Sequence, residues 1–147
     1  QMKNLIYLVL SLFVLTACSN DDNDVITNDV QFTTVGKNTL NGGENIPQSN
    51  FVFNNETDWN NFLIQVNAIN DVSGTFNETE IDFAAFTVIA VVDDIKTSGS
   101  EINIVTAVEN TNTITISSEL TIYSTTVISQ PFHIIKIPKT NKQIIFN

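Results

Sequence analysis

The sequence predicts an α+β fold: a mostly antiparallel β-sheet with one amphipathic helix packed against it. Three observations carry that prediction. Isoleucine and threonine alternate through much of the second half of the chain, with Ile102 and Ile104 on one face, then Ile114 and Ile116, the period-two pattern of strands with one buried face. Residues 86–92 are apolar on both alternating faces, the mark of a central strand covered on both sides. Only one stretch of the mature chain, beginning at Trp59, repeats its apolar residues at helical spacing.

Taken in order, the chain opens with Lys3, an apolar run over 5–14 and then Leu15-Thr16-Ala17-Cys18. A charged start, a short apolar core and a small-residue cut have the shape of a signal peptide. The run is too short for the roughly 20 apolar residues that a spanning helix needs. The last four residues resemble a bacterial lipobox, which implies cleavage between Ala17 and Cys18 and a diacylglycerol on the Cys18 thiol. Residues 1–17 are therefore set apart from the fold. Because Cys18 is the sole cysteine, its lipidation leaves no thiol for a disulfide or for nucleophilic chemistry.

Residues 18–29 form an acidic tether, with Asp21, Asp22 and Asp24 close behind Cys18. That run resembles the export signal of Bacteroidetes surface lipoproteins and favours an outer-membrane address at the cell surface; the alternative is a solvated spacer facing the periplasm. A flexible coil of this kind spans about 5–6 Å times the square root of its residue count, which keeps the domain near the bilayer.

Residues 30–147 are expected to make one α+β domain. A first strand is predicted over 30–35, followed by a loop marked by Gly36, Asn41-Gly42-Gly43 and Pro47, and a short strand over 51–53. Asn55 is placed to cap a helix, with Glu56 and Asp58 in the first turn, where the helix dipole favours negative charge. Trp59, Phe62, Leu63, Val66 and Ile69 then fall on one stripe about 120° wide. After turn material over 71–79 comes the central strand at 86–92. Ser98-Gly99-Ser100 leads into Ile102, Ile104, Thr106 and Val108 on one face, and Asn110-Thr111-Asn112 turns the chain back through Ile114, Ile116, Leu120 and Ile122, an antiparallel hairpin. Thr113, Thr115, Ser117, Glu119 and Thr121 should face water. A long strand over 127–137 and a short one over 143–146 complete the sheet.

Charge excludes whole classes of function. The chain has 16 carboxylates against six lysines, one of them the leader's Lys3, and no arginine. Nucleic-acid binding leans on clustered cations, so no nucleic-acid partner is expected.

Chemistry-bearing residues are sparse. His133 is the single histidine; no nucleophile elbow accompanies it, so no catalytic residue is assigned and the chain is not expected to be an enzyme. A satisfied structural histidine is the preferred reading, ahead of a specific binding role. One histidine and a lipidated cysteine cannot build a zinc site. Glu78, Glu80 and Asp82, or Asp93 and Asp94, supply oxygen ligands without the glycine-centred spacing of a calcium loop, and a solvated acidic loop is the preferred reading. No metal and no cofactor are assigned. Tyr123 is the one obvious aromatic platform for a glycan.

The segment Gln130-Pro131-Phe132-His133-Ile134-Ile135-Lys136-Ile137-Pro138-Lys139 resembles the C-terminal signature of the PrcB family of bacterial protease-complex subunits. Asp58-Trp59, Ile81-Asp82-Phe83 and Val88-Ile89-Ala90-Val91 follow the family's order over residues 50–146, with a departure at Ser98-Gly99-Ser100, where the family has paired glycines. The resemblance implies a lipid-anchored, non-catalytic partner that stabilises or positions a cell-surface protease. The expectation is a protein-interaction module, held to the membrane through Cys18, that binds through a sheet edge or through His133, Lys136 and Tyr123. A surface lipoprotein that binds a small ligand or glycan is the alternative.

Overall fold

The computed structural model describes residues 27–147. The expected leader, the expected cleavage and lipidation site at Ala17 and Cys18, and most of the expected tether lie outside the described residues. The α+β class holds, and the sheet is divided in two. Strands β2 (Thr33–Leu40), β7 (Gln130–Pro138), β4 (Phe86–Val92) and β3 (Ser49–Phe53) form sheet I in that order, every pair antiparallel. Strands β1 (Asn28–Asp29), β5 (Ser100–Glu109), β6 (Thr113–Ile122) and β8 (Gln143–Phe146) form sheet II. Helix α1 (Glu56–Val66) covers the outer face of sheet I, so the layers run helix, sheet I, sheet II. None of the described helices is long and apolar enough to cross a membrane.

The middle layer explains the apolar runs in the sequence. In β4, Val88, Ala90 and Val92 join the helix-side core while Ile89 and Val91 join the core between the sheets. In β7, Phe132 and Ile134 face the helix side, and Ile135 and Ile137 face sheet II. A strand buried on both faces cannot alternate apolar with polar, and these two do not.

Helix α1 starts where the sequence places it. The Asn55 side chain accepts from Asp58 N–H at 2.9 Å, satisfying a donor that the first turn leaves free. Trp59, Phe62 and Val66 are buried, and Trp59 and Phe62 pack tilted or edge-on against Phe51 and Phe53 of β3 at centroid distances of 5.0 to 5.5 Å. The helix ends one turn early, leaving Ile69 exposed. Asn67 is the reason: its amide donates to Ser73 Oγ at 2.7 Å and accepts from Ser73 N–H at 2.9 Å, an interaction that competes with another helical turn.

Three other expectations are corrected. The first predicted strand, 30–35, is divided between the sheets: Val30 N–H bonds Ala107 O beside β1, whereas β2 begins at Thr33. β5 carries a bulge between Ile104 and Thr106, which moves Ala107, rather than Thr106, into the core. β7 begins at Gln130, and Val127 and Ile128 ahead of it are exposed. β8 lies where predicted but pairs parallel with β6.

The edge of β2 is covered. It bulges between Thr34 and Gly36, Asn77 N–H bonds Val35 O and the Asn77 amide bonds Thr34 O. Phe76 lies so close over Gly36 that a Cβ there would come within 2.5 Å of its ring.

Candidate functional site

The densest polar constellation lies where the two sheets meet, along β2 and the first half of β5. Lys37 Nζ of β2 donates to Glu101 Oε1 at 2.6 Å and to Asn103 Oδ1 at 2.8 Å, both on β5. The Asn103 amide and the Tyr123 hydroxyl also donate to Glu101, each at 2.9 Å. Three donors, one of them the Lys37 ammonium, favour the ionised carboxylate. The Lys37 hydrogen bond, then those of Asn103 and Tyr123, hold the Glu101 carboxyl down at about 2. The same bond to Glu101 raises the Tyr123 hydroxyl above its ordinary value.

His133 stands behind this cluster, paired across the ladder with Lys37. It is only 5% exposed. Ile104 N–H donates to its Nδ1 at 2.8 Å, and its Nε2 lies 2.9 Å from Thr34 Oγ1. A backbone N–H can only donate, so Nδ1 carries the lone pair, and the ring proton sits on Nε2 and goes to the threonine. The ring is therefore neutral and both nitrogens are engaged. Burial first, then the Lys37 charge, pushes its pKa down to about 4, against a smaller opposing pull from Glu101. His133 ties an edge N–H of sheet II to sheet I, which is a structural task.

The three residues singled out for partner binding do not share a surface. Lys136 projects from the opposite face of β7, where its ammonium bonds Glu78 Oε1 at 2.6 Å and lies 4.5 Å from the Phe86 ring centre. Tyr123 is exposed and reaches the His133 side of the fold through Glu101. It borders a shallow groove of about 210 Å³ with Lys37, Asn38, Thr39, Ser100 and Glu101. Alternation along β7 already separated His133 from Lys136. The link from Tyr123 to Lys37 was not visible, since it joins strands 64 residues apart at Lys37 and Glu101. Glu101 and Asn103 did carry one signal, two hydrogen-bonding side chains two positions apart on a strand.

The acidic residues disperse. Among the described residues no three Asp, Glu, His or Cys side chains converge as a metal site would require. Asp93 pairs with Lys96 at 3.3 Å, and Glu80 and Asp82 line a groove of about 380 Å³ with Glu56 beside the buried Trp59, whose indole N–H bonds Thr79 O. No family model, curated protein or solved structure matches the chain.

Proposed function

We propose that the chain is a lipid-anchored accessory domain of a bacterial outer membrane, one that binds a protein partner and performs no catalysis. One observation carries this reading: Leu120, Ile122, Tyr123, Val127 and Ile128 are all exposed within residues 120–128. Exposed apolar side chains gathered in this way mark an interaction surface more often than a neutral one. The engagement of both His133 nitrogens supports a non-catalytic role, and the lipobox at Cys18 supports the anchor. The likeness of residues 130–139 to the PrcB signature makes a secreted or surface protease complex the candidate partner.

Crosslinking on intact cells followed by mass spectrometry tests the reading. Discrete adducts with one other envelope protein are expected, and recovery of the monomer alone contradicts it. Replacing Cys18 with serine should release the protein from the membrane fraction; retention there overturns the anchor.

A second reading has its own observation. The groove bordered by Tyr123, Lys37 and Glu101 presents an aromatic ring beside several hydrogen-bonding groups, the combination a glycan-binding site uses. A thermal-shift screen against oligosaccharides would raise it by a single reproducible stabilisation that Tyr123→Ala abolishes.

A further inference from the structure

β6 has a half-used edge. Its inner side pairs with β5 along its whole length, whereas β8 covers its outer side only from Thr113 to Ile116. The hydrogen bonds show which residues point outward. Ile104 N–H turns away from β6 to reach His133, so Ile104 and its cross-strand partner Ser118 form a non-hydrogen-bonded pair. By alternation Ser118, Leu120 and Ile122 direct both N–H and C=O to the outer edge. Tyr123 N–H bonding inward to Gly99 O and Asn147 N–H bonding Ile116 O from outside fit the same alternation. Asn112 O and Ile116 O accept from the β8 side at 3.1 and 3.0 Å, and among the described residues the row continues open through Ser118, Leu120 and Ile122.

We infer that this open row binds an extended segment of another protein by strand addition, and that the segment is apolar at alternate positions with a lysine or arginine opposite Glu119. The inference rests on the protein-partner reading above and names its surface and chemistry. Unpaired backbone groups supply the affinity in such complexes, and alternate side chains supply the choice. Leu120 and Ile122 lie on the core-side face, as their cross-strand neighbours Ile102 and Ser100 do, yet are 41% and 59% exposed. Beneath them Ser118 and Ile102 border a groove of about 340 Å³ with Gln48, Ser49 and Asn50. Apolar side chains of an added strand would cover Leu120 and Ile122 from the side.

Charge selects the occupant. Glu119 makes no salt bridge among the described residues, and the four lysine–carboxylate pairs lie elsewhere. A second copy would bring another formal charge of −10 to this one, whereas a basic strand would be attracted. The position suits an anchored protein: β1 enters the fold at Glu109, and Ser100, the partner of Ile122, lies at the other end of β5, roughly 30 Å away at about 3.3 Å per residue.

The test uses the full lipidated chain in detergent and, as probe, an eight-residue peptide alternating valine with lysine. Its binding is followed by fluorescence anisotropy and its place by amide hydrogen exchange. Exchange at Ser118, Leu120 and Ile122 should slow at least about tenfold when the peptide saturates, and a valine–glutamate peptide should bind roughly tenfold more weakly. Ser118→Pro should abolish binding without a loss of the cooperative thermal transition, because that N–H serves no bond to β5. Glu119→Lys should reverse the preference between peptides. No binding, binding that Ser118→Pro leaves intact, or protection elsewhere overturns the inference. So does slow exchange at these amides before peptide is added, which would mean that a second copy or the chain's own tether holds the edge. If cellular crosslinking recovers a partner that Ser118→Pro still binds, the edge is wrong and the partner reading stands; if it recovers none, that reading itself falls.

Discussion

The two halves of β6 have the same sequence pattern and opposite fates. In the first half, Ile114 and Ile116 are 2% and 1% exposed, closed in between β5, β8 and the core of sheet I. In the second half, Leu120 and Ile122 occupy the same face of the same strand and stand in solvent. Alternation therefore specifies which side chains point to the core face; whether anything covers that face depends on where the opposing sheet and the neighbouring strand stop. The covered half builds the fold, and the uncovered half is the surface proposed for a partner. β2 sharpens the contrast, because it is also an edge strand, yet Phe76 and Asn77 close it with groups of the same chain.

The largest expected effect lies in the covered half. Ile116→Ala should cost about 2–5 kcal/mol by urea unfolding, the range for emptying a packed core site, while Ile122→Ala should cost less than about 0.5 kcal/mol. Equal losses at both positions would mean that the second half is covered after all.

Next comes pH. His133 is neutral in the fold with a pKa of about 4 against 6.5 for the ordinary side chain, so between those values the unfolded chain binds the extra proton. Stability then rises with pH across that window, is fully present above about pH 6.5 and is lost as the pH falls towards 4, by up to about 3 kcal/mol. His133→Asn should flatten this part of the profile in unfolding measurements. An unchanged profile would contradict the role of His133 as a neutral tie between the sheets.

Gly36→Ala should cost about 1–3 kcal/mol, because the added methyl forces Phe76 off the β2 edge, whereas Ser118→Ala on the open edge should leave the unfolding midpoint nearly unchanged. The smallest effect belongs to the exposed cluster. Glu101→Gln should change stability by less than about 1 kcal/mol at neutral pH, since surface ion pairs contribute little, and should return the Tyr123 hydroxyl towards its ordinary titration range by ultraviolet absorbance.

Much of this contrast was legible in the amino-acid order. The Asn55 cap, the Trp59, Phe62 and Val66 stripe, the doubly buried strand at 86–92 and the hairpin around Asn110-Thr111-Asn112 all depend on local spacing, and all are present. The division into two sheets depends on pairings between distant strands, which spacing does not encode. The bulge at Val105 was equally hidden: Thr106 and Val108 continue the period written in the sequence, and the inserted residue shifts it in space. Of the proposed binding residues, Tyr123 is exposed, as a platform for a ligand must be. His133 is buried with both nitrogens engaged, the satisfied structural histidine that the sequence favoured, but the group that engages Nδ1, the edge N–H of Ile104, belongs to the other sheet and was not visible in the spacing.

The most direct test of the account compares the two halves of β6 in living cells. A photocrosslinking amino acid would replace Ile122 in one full-length variant and Thr115, in the half flanked by β8, in another. The account predicts a discrete adduct with a single envelope protein from position 122 and none from position 115. No adduct from 122, or the same adducts from both positions, would contradict it.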